Sequence, residues 1–390
     1  MASTAGIPRA VWMLGLVSLF MDVSSELIHS LLPVFMVTSL GATALMVGVV
    51  EGVAEATALI VKVFSGTISD WLGKRKGLTV LGYGLGAISK PVFALAVTVH
   101  WVFAARFLDR IGKGIRGAPR DALIADLTPP EIRGAAYGLR QSLDTVGAFV
   151  GPLLAIGLMI LWAGDFRAVF WFSVIPAVLA VLILVFGVRE PQAGRSAARP
   201  TSPVHWHSLR EFSGAYWWVV VAGGIFTLAR FSEAFLILRA QQLGLADTFA
   251  PLVLVIMNVV YAASAYPMGR LADRMSHGKL LAAGLAVLVL ADIVLAQAQG
   301  LAAVMAGVVL WGLHMGMTQG LLSAMVAGAA PAQLRGTAFV FFNLVSGVAM
   351  LIASVLAGLL WDQLGAAFTF YAGAAFSVLA LALLMLRRGS

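Results

Sequence analysis

The chain has 390 residues, 61% hydrophobic and only 11% charged, with a mean hydropathy of +0.95. A soluble globular domain is about 45–50% apolar and about 25% charged, so these values exclude a water-soluble fold and indicate many membrane crossings. The 26 Lys and Arg against 18 Asp and Glu give a net charge of +8, and the lack of cysteine excludes disulfides and thiolate metal sites.

Hydropathy falls into twelve runs near the length of about 20 apolar residues that a spanning helix needs. In chain order they lie near 11–37, 45–69, 77–98, 101–127, 134–162, 167–188, 214–240, 248–272, 278–298, 300–328, 335–362 and 366–387. Residues 1–10 hold one arginine, and Asp22 and Glu26 interrupt the apolar run behind them. That pattern argues for a retained first helix and against a cleaved signal peptide.

The basic residues outside these runs fall in a few loops. Lys74, Arg75 and Lys76 share one; Arg189, Arg195, Arg199 and Arg210 share the central one; Arg270, Arg274 and Lys279 fill a third; Arg387 and Arg388 end the chain. The intervening loops 41–44, 98–100 and 296–300 carry no charge. The positive-inside rule then puts both termini and the central loop in the cytoplasm, as expected for a bacterial inner (plasma) membrane protein. This distribution also argues against nucleic acid as the reason for the basic charge.

Charge inside the runs is costly, about 2.5–3.5 kcal/mol for an ionised side chain at bilayer depth on insertion scales, so such residues face a cavity or a partner. In the first helix Asp22, Glu26 and His29 share a narrow stripe with Pro33, and in the second Glu51, Glu55 and Lys62 share another. The third contributes Lys90, just before Pro91. In the fourth, Arg106, Asp109, Arg110, Lys113, Arg116, Arg120 and Asp121 fall within an arc of about 140° at 100° per residue, opposite Phe107, Leu108, Ile111 and Ile115. The fifth adds Arg140 and Asp144, spaced as a helical ion pair. The expectation is one wall of a polar cavity in the N-terminal half, balanced by acids on helices one, two and five. The alternative is an internal salt-bridge network that holds this half together or closes a gate. Arg106 and Arg120, nearer the two surfaces, have the further alternative of snorkelling outward.

The later helices are more neutral. Helix seven carries Arg230 and Glu233, expected to pair, and helix ten has His314 as its only titratable side chain. Asn258, Tyr261, Gln319 and Asn343 offer hydrogen bonds to a ligand or between helices. Met315 and Met317 beside His314 suit a soft metal such as Cu(I), but fifteen methionines in so apolar a chain read mainly as packing.

The polar stretch 189–208 reads as a linker, giving an N-terminal six-helix bundle over 1–188, a cytoplasmic linker over 189–212 and a second bundle over 213–390. The halves echo each other. GTISDWLGKRK (66–76) matches GRLADRMSHGK (269–279), and PPEIRGAAYG (129–138) matches PAQLRGTAFV (331–340), placing Arg133 over Arg335. Two parallel repeats of six helices predict an all-α membrane fold with a pseudo-two-fold axis along the membrane normal and a cavity between halves.

The G-x-x-x-D-x-x-G-K-R-K loop formed by Gly66, Asp70, Gly73, Lys74, Arg75 and Lys76 resembles the cytoplasmic loop signature of the major facilitator superfamily, and Gly269 and Asp273 stand where that family places its degenerate copy. RFLDRIGKG (106–114) resembles the family's fourth-helix pattern R-F-L-Q-G-I-G-A-G. Gly138, Gly147 and Gly151-Pro152 are similar to the fifth-helix pattern of its antiporter branches, without the trailing Gly-Gly. The resemblance covers essentially the whole chain. It implies transport by alternating access, a gate at Gly66, Asp70, Gly73, Lys74, Arg75 and Asp273, a proton-coupling role for Arg106, and export. The chain departs from the pattern at Asp109, Arg110 and Lys113, which disfavours a greasy multidrug pocket and favours a charged substrate.

The expected function is proton-coupled secondary transport of an anionic or zwitterionic small molecule. Asp22, Glu26, Glu51, Glu55 and Asp144 are the candidate proton carriers. Arg110, Lys113, Arg116 and Arg140, with Arg230, Asn258 and His314 from the second half, are the candidate substrate ligands. No cofactor, resident metal or nucleic acid is expected; the partners are the substrate, protons and the bilayer, and the bundle is expected to act as a monomer. Import of an organic anion or metal chelate, metal-ion transport and a channel remain as rivals. An enzyme is disfavoured, since H-E-x-x-H and G-x-S-x-G are both lacking.

Overall fold

The computed structural model describes residues 6–72, 75–190, 211–272, 274–318, 320–331 and 334–386, without the side chains of Thr67, Asp70 and Leu72. Among these residues the chain is helical and forms no strand. The first helices are α1 (Arg9–His29), α2 (Leu32–Thr38), α3 (Ala44–Leu72), α4 (Arg75–Ala94) and α5 (Val99–Leu127). They are followed by α6 (Arg133–Leu161), α7 (Phe166–Phe172) and α8 (Val174–Gly187). Beyond the central loop come α9 (Gly214–Leu228), α10 (Ala234–Gln242), α11 (Leu252–Ala272) and α12 (His277–Gln297). The last four are α13 (Leu301–Thr318), α14 (Leu321–Ala329), α15 (Arg335–Leu364) and α16 (Ala366–Leu386).

Each of the twelve expected runs is filled by one helix or by a broken pair, the pairs being α1–α2, α7–α8, α9–α10 and α13–α14. Two breaks have a proline at the start of the second piece, Pro33 in α2 and Pro176 in α8, where the missing N–H and the ring end the preceding helix. At the α7–α8 break the Ser173 carbonyl accepts a bond from Ser24 Oγ at 2.7 Å, so the interrupted backbone is satisfied within the protein. The α13–α14 break uses Gly320 in the left-handed region at φ 75°, which lacks the Cβ clash other residues meet there. Among the described residues nine helical stretches are long and apolar enough to cross a membrane. Neither α4 nor α5 is among them, and α5 alone holds five cations and three carboxylates.

The chain divides into two compact units. One holds Met1–Leu31 with Thr57–Ser202; the other holds Leu32–Ala56 with Pro203–Ser390, so α3 is divided between them after Ala56. The first unit packs α1 on α6 and α8, and α4 on α5; the second packs α9 on α15, and α12 on α13 and α16. Counted in spans, one with five and three with four in the first unit correspond to seven with eleven and nine with ten in the second. The repeat extends to single atoms. Arg133 Nε donates to the Ala125 carbonyl at 3.2 Å, and Arg335 Nε donates to the Ala327 carbonyl at 3.2 Å, in each case eight residues back. The fold is a two-bundle, twelve-span helical membrane protein.

Candidate functional site

The charged face of α5 lies against α4, and glycines let the two helices approach. A Cβ on Gly112 would stand 2.5 Å from the Gly82 carbonyl, and one on Gly82 would stand 2.7 Å from the Gly112 carbonyl and from Arg116 Cβ. Only hydrogen fits at both positions. Into this contact Lys90 brings its Nζ 2.8 Å from Asp109 Oδ1, with a second bond to Ser25 Oγ at 3.1 Å. Arg110 Nε lies 3.9 Å from the other oxygen, Asp109 Oδ2. Lys90, Asp109 and Arg110 are all buried, as is Arg106, which is 2% exposed. The snorkelling alternative for Arg106 is therefore corrected. Its guanidinium stays inside the bundle.

Further along α5 the cations gather around Tyr83. The Arg116 guanidinium carbon sits 4.7 Å from the centre of the Tyr83 ring, a cation–π contact. Arg120 Nη1 donates to Ser18 Oγ at 3.0 Å and to Tyr83 Oη at 3.4 Å, while Nη2 pairs with Asp121 Oδ1 at 3.1 Å. Arg120 too is turned inward, by two hydroxyls that its spacing in the sequence does not announce. Arg140 Nη1 pairs with Asp144 Oδ2 at 2.7 Å, the expected i,i+4 pair, and reaches Asp121 Oδ1 at 3.9 Å. Arg116 Nη1 and Asp144 Oδ1 are buried with no hydrogen-bond partner among the described residues. Lys113 stands on the same helix as an exposed side chain.

The α1 acids join this group through small residues on α6. A Cβ on Gly147 would stand 2.7 Å from the Leu19 carbonyl and 2.9 Å from Asp22 Cβ, and one on Gly151 would stand 2.6 Å from Glu26 Cβ, each closer than a side chain allows. Glu26 Oε2 lies 3.4 Å from His29 Nδ1. The unit thus gathers seven cationic side chains (Lys90, Arg106, Arg110, Lys113, Arg116, Arg120 and Arg140) and five carboxylates (Asp22, Glu26, Asp109, Asp121 and Asp144). With all of them ionised, a surplus of two positive charges remains.

Five further candidates belong to the second unit. Glu51 and Glu55 belong to the part of α3 assigned to the second unit, where Glu51 is fully buried. Arg230 sits in that unit near Phe226, its guanidinium carbon 5.8 Å from the ring centre, and Asn258 lies on α11. His314 is completely buried, its Nδ1 2.7 Å from the Gly284 carbonyl, and so ties α13 to α12. Of the gate residues, Gly66 faces Ala118 across α3 and α5, and Arg75 pairs with Asp126 at 2.9 Å. Glu190 accepts from the backbone N–H of Lys76 at 3.2 Å, at the start of α4. Gly73, Lys74 and Asp273, like Gln319, lie outside the described residues, and only the backbone of Asp70 is described.

Sequence reasoning missed Tyr83, Ser18 and Ser25, ordinary residues in apolar helices that carry no signal until the helices are packed. The pairing of Lys90 with Asp109 was also not legible, although both charges were.

The sequence profile of the Major Facilitator Superfamily matches residues 14–238 and again 219–390. An MFS-type transporter of Methanocaldococcus jannaschii is 30% identical over 387 residues, covering 97% of this chain and 95% of its own. Multidrug resistance protein MdtH of Edwardsiella ictaluri is 31% identical over 153 residues, 39% of this chain and 37% of its own. Among solved structures, that of the nucleoside transporter NupG superposes with a TM-score of 0.80 at 12% identity, covering 97% of this chain and 99% of the other, a likeness of fold. The profile match across both repeats, the relative aligned along nearly the whole length and the paired arginines of the two bundles agree: the chain belongs to the major facilitator superfamily and is an integral membrane transporter, not an enzyme.

Proposed function

We propose that the protein is a proton-coupled transporter of a small molecule with an anionic group, working by alternating access, with export of a zwitterion as the leading reading. The observation that carries this is the charge group on α5. Its own acids are engaged by Lys90, Arg110, Arg120 and Arg140. Arg116 keeps a buried donor without a hydrogen-bond partner among the described residues, and Lys113 is exposed. Arg110 and Arg140 complete the basic side, with Arg106 in a proton-coupling role. Asp22, Glu26 and Asp144 are the acids of the same unit proposed to exchange a proton; Glu51 and Glu55 on α3 stand as further candidates. Arg230, Asn258 and His314 would complete the substrate's surroundings from the second unit. The loop residues Gly66, Asp70, Gly73, Lys74, Arg75 and Asp273 would form the gate.

Direction follows from linkage. An ammonium group on the substrate competes with a proton for Asp22 or Glu26, so binding one releases the other, which is antiport. A purely anionic substrate does the reverse. Neutralising either acid enlarges the positive surplus and tightens anion binding, which is symport. The fifth-helix glycines and the similarity to a multidrug resistance protein support export; the positive surplus supports the symport reading.

The test is proton movement in proteoliposomes carrying an internal pH dye, with pools of anions, zwitterions, metal chelates and cationic drugs. Zwitterion-driven proton movement opposite to substrate flux is the expected result, and movement with the flux would replace export by symport. Flux that moves no proton with any pool removes proton coupling. Lys113→Ala should fold at wild-type yield, because the side chain is exposed, and lose about 1.5–3 kcal/mol of anion binding, roughly tenfold to a hundredfold in Kd. Unchanged affinity would take Lys113 out of the site.

A further inference from the structure

The second unit holds a fully buried carboxylate outside the charge group. Asp292 on α12 is completely buried, and neither of its oxygens has a hydrogen-bond partner among the described residues. Its surroundings are built around it. A Cβ on Gly373 of α16 would stand 2.7 Å from Asp292 Oδ2 and 2.9 Å from Phe231 Cε1, so the carboxylate rests on bare backbone beside an aromatic ring. Phe231 lies in the break between α9 and α10, with ring centres 5.3 Å from Trp311 and 5.6 Å from Phe370. Register brings two more unmet polar atoms toward this place. Gly307 faces Leu295 and Gly284 faces Thr318, so Trp311 of α13 falls level with Asp292 between those contacts. Ser377 lies one turn beyond Gly373 on α16. Trp311 Nε1 and Ser377 Oγ are both buried without a hydrogen-bond partner among the described residues.

We propose that Asp292 is a proton-binding site of the second unit, holding a neutral carboxylic acid in this conformation and giving up its proton when the packing around Phe231 opens. The physical ground is the cost of the alternative. A carboxylate without a hydrogen bond or a counter-charge is among the most unfavourable groups to place in an apolar interior, whereas the protonated acid is not. A metal ion does not fit, because hard cations take about six or more oxygen ligands, and among the described residues no group of three or more His, Asp or Glu side chains stands together.

The charged and titratable groups nearby are spent elsewhere. Of the helices packed on α12, α13 brings His314, bonded to the Gly284 carbonyl, and α14 brings none. On α16 the one such group is Tyr371, which is exposed. Arg239 of α10 gives its guanidinium to the carbonyls of Leu295, Ala296 and Ala298, and Arg230 lies near Phe226. The site releases its proton to water and takes it back from water; no other group changes. The broken backbone at 229–233 is the element whose movement would admit that water. Such a break is tolerated at membrane depth where protein buries it, and the Ser232 N–H, 3.3 Å from Ser354 Oγ, is satisfied in that way.

The role of this site in transport rests on the proton-coupled reading above; the proton site itself does not. The experiment uses the full chain and the variants Asp292→Asn and Asp292→Leu, the second in case a buried amide prevents folding. Infrared spectra of reconstituted protein at neutral pH should show the carbonyl band of a protonated carboxylic acid in the wild type and not in either variant. Counterflow of substrate, which needs no net proton movement, should continue, while uptake driven by a pH gradient falls by about tenfold or more, within the usual range for coupling between two sites. A band that survives both substitutions overturns the proton site. A lost band with gradient-driven uptake unchanged overturns its role in coupling. Wild-type flux indifferent to pH, together with loss of the band, would retain the site and remove the proton-coupled reading of transport.

Discussion

Asp109 and Lys90 show what one residue does in this protein. Their 2.8 Å pair is buried, with Ser25 and Ser89 around it and Arg110 3.9 Å from the other Asp109 oxygen, so the Lys90 ammonium depends on Asp109. Breaking such a pair from one side leaves an uncompensated buried charge, at a cost of about 3–5 kcal/mol. Asp109→Asn should therefore lower the Tm of the detergent-solubilised protein sharply or abolish folded yield, because the Lys90 ammonium remains. Replacing both, as Lys90→Met with Asp109→Leu, should restore the yield, since an apolar pair of similar volume is often neutral or stabilising there. A double variant as unstable as the single one would mean that the pair does more than balance charge. The charges themselves were legible, because an ionised residue in an apolar run is conspicuous. Their pairing was not. A helical projection gives the face of a residue but not the neighbouring helix it meets, and the part played by α5's own Asp109 and Asp121 in balancing its cations was not foreseen.

Between elements, spacing is set by glycine. Gly82 and Gly112 hold α4 and α5 at a distance where a single Cβ on either meets backbone of the other. Backbone cannot yield as a flexible side chain can, so Gly112→Val should cost at least the roughly 1–3 kcal/mol usual for overpacking and displace Arg116 from Tyr83. Gly84, on the same helix, meets nothing within 4 Å. Gly84→Ala should be neutral or stabilising by up to about 1 kcal/mol from helix propensity. Thermal melts of both variants compare the two glycines directly, and equal losses would reject the contact as the cause. The spans themselves were readable to within a few residues, since hydropathy reports burial in lipid. Four helix breaks were not anticipated. Pro33 and Pro176 were visible as prolines, but the break at 229–233 has no proline or glycine to mark it and is held by tertiary bonds.

Across the whole chain the two bundles keep a common frame while their charge diverges. Repetition of the loop motif predicted the frame, and Arg133 and Arg335 fulfil it with the same bond to a carbonyl eight residues back. Divergence of charge is where the duplicated plan has been specialised. The face of α5 is crowded with ions, and its counterpart α13 presents Trp311, Gly312 and a buried His314. The frame and the charge group should then respond differently to mutation. Arg133→Gln removes one exposed and one part-buried bond, and Arg335→Gln removes one exposed bond. Each lost bond should cost about 0.5–1.5 kcal/mol, toward the lower end because water can replace it. The two arginines share no partner among the described residues, so the losses in the double variant should add to within about 0.3–0.5 kcal/mol. Substrate affinity should be unaffected, since neither arginine belongs to the charge group. Unfolding in denaturant, measured for both single variants and the double one, checks the sum. A double variant much worse than additive would show that these two bonds stabilise one shared event rather than two separate bundles, and the repeat would then be a mechanical coupling as well as a common ancestry of shape.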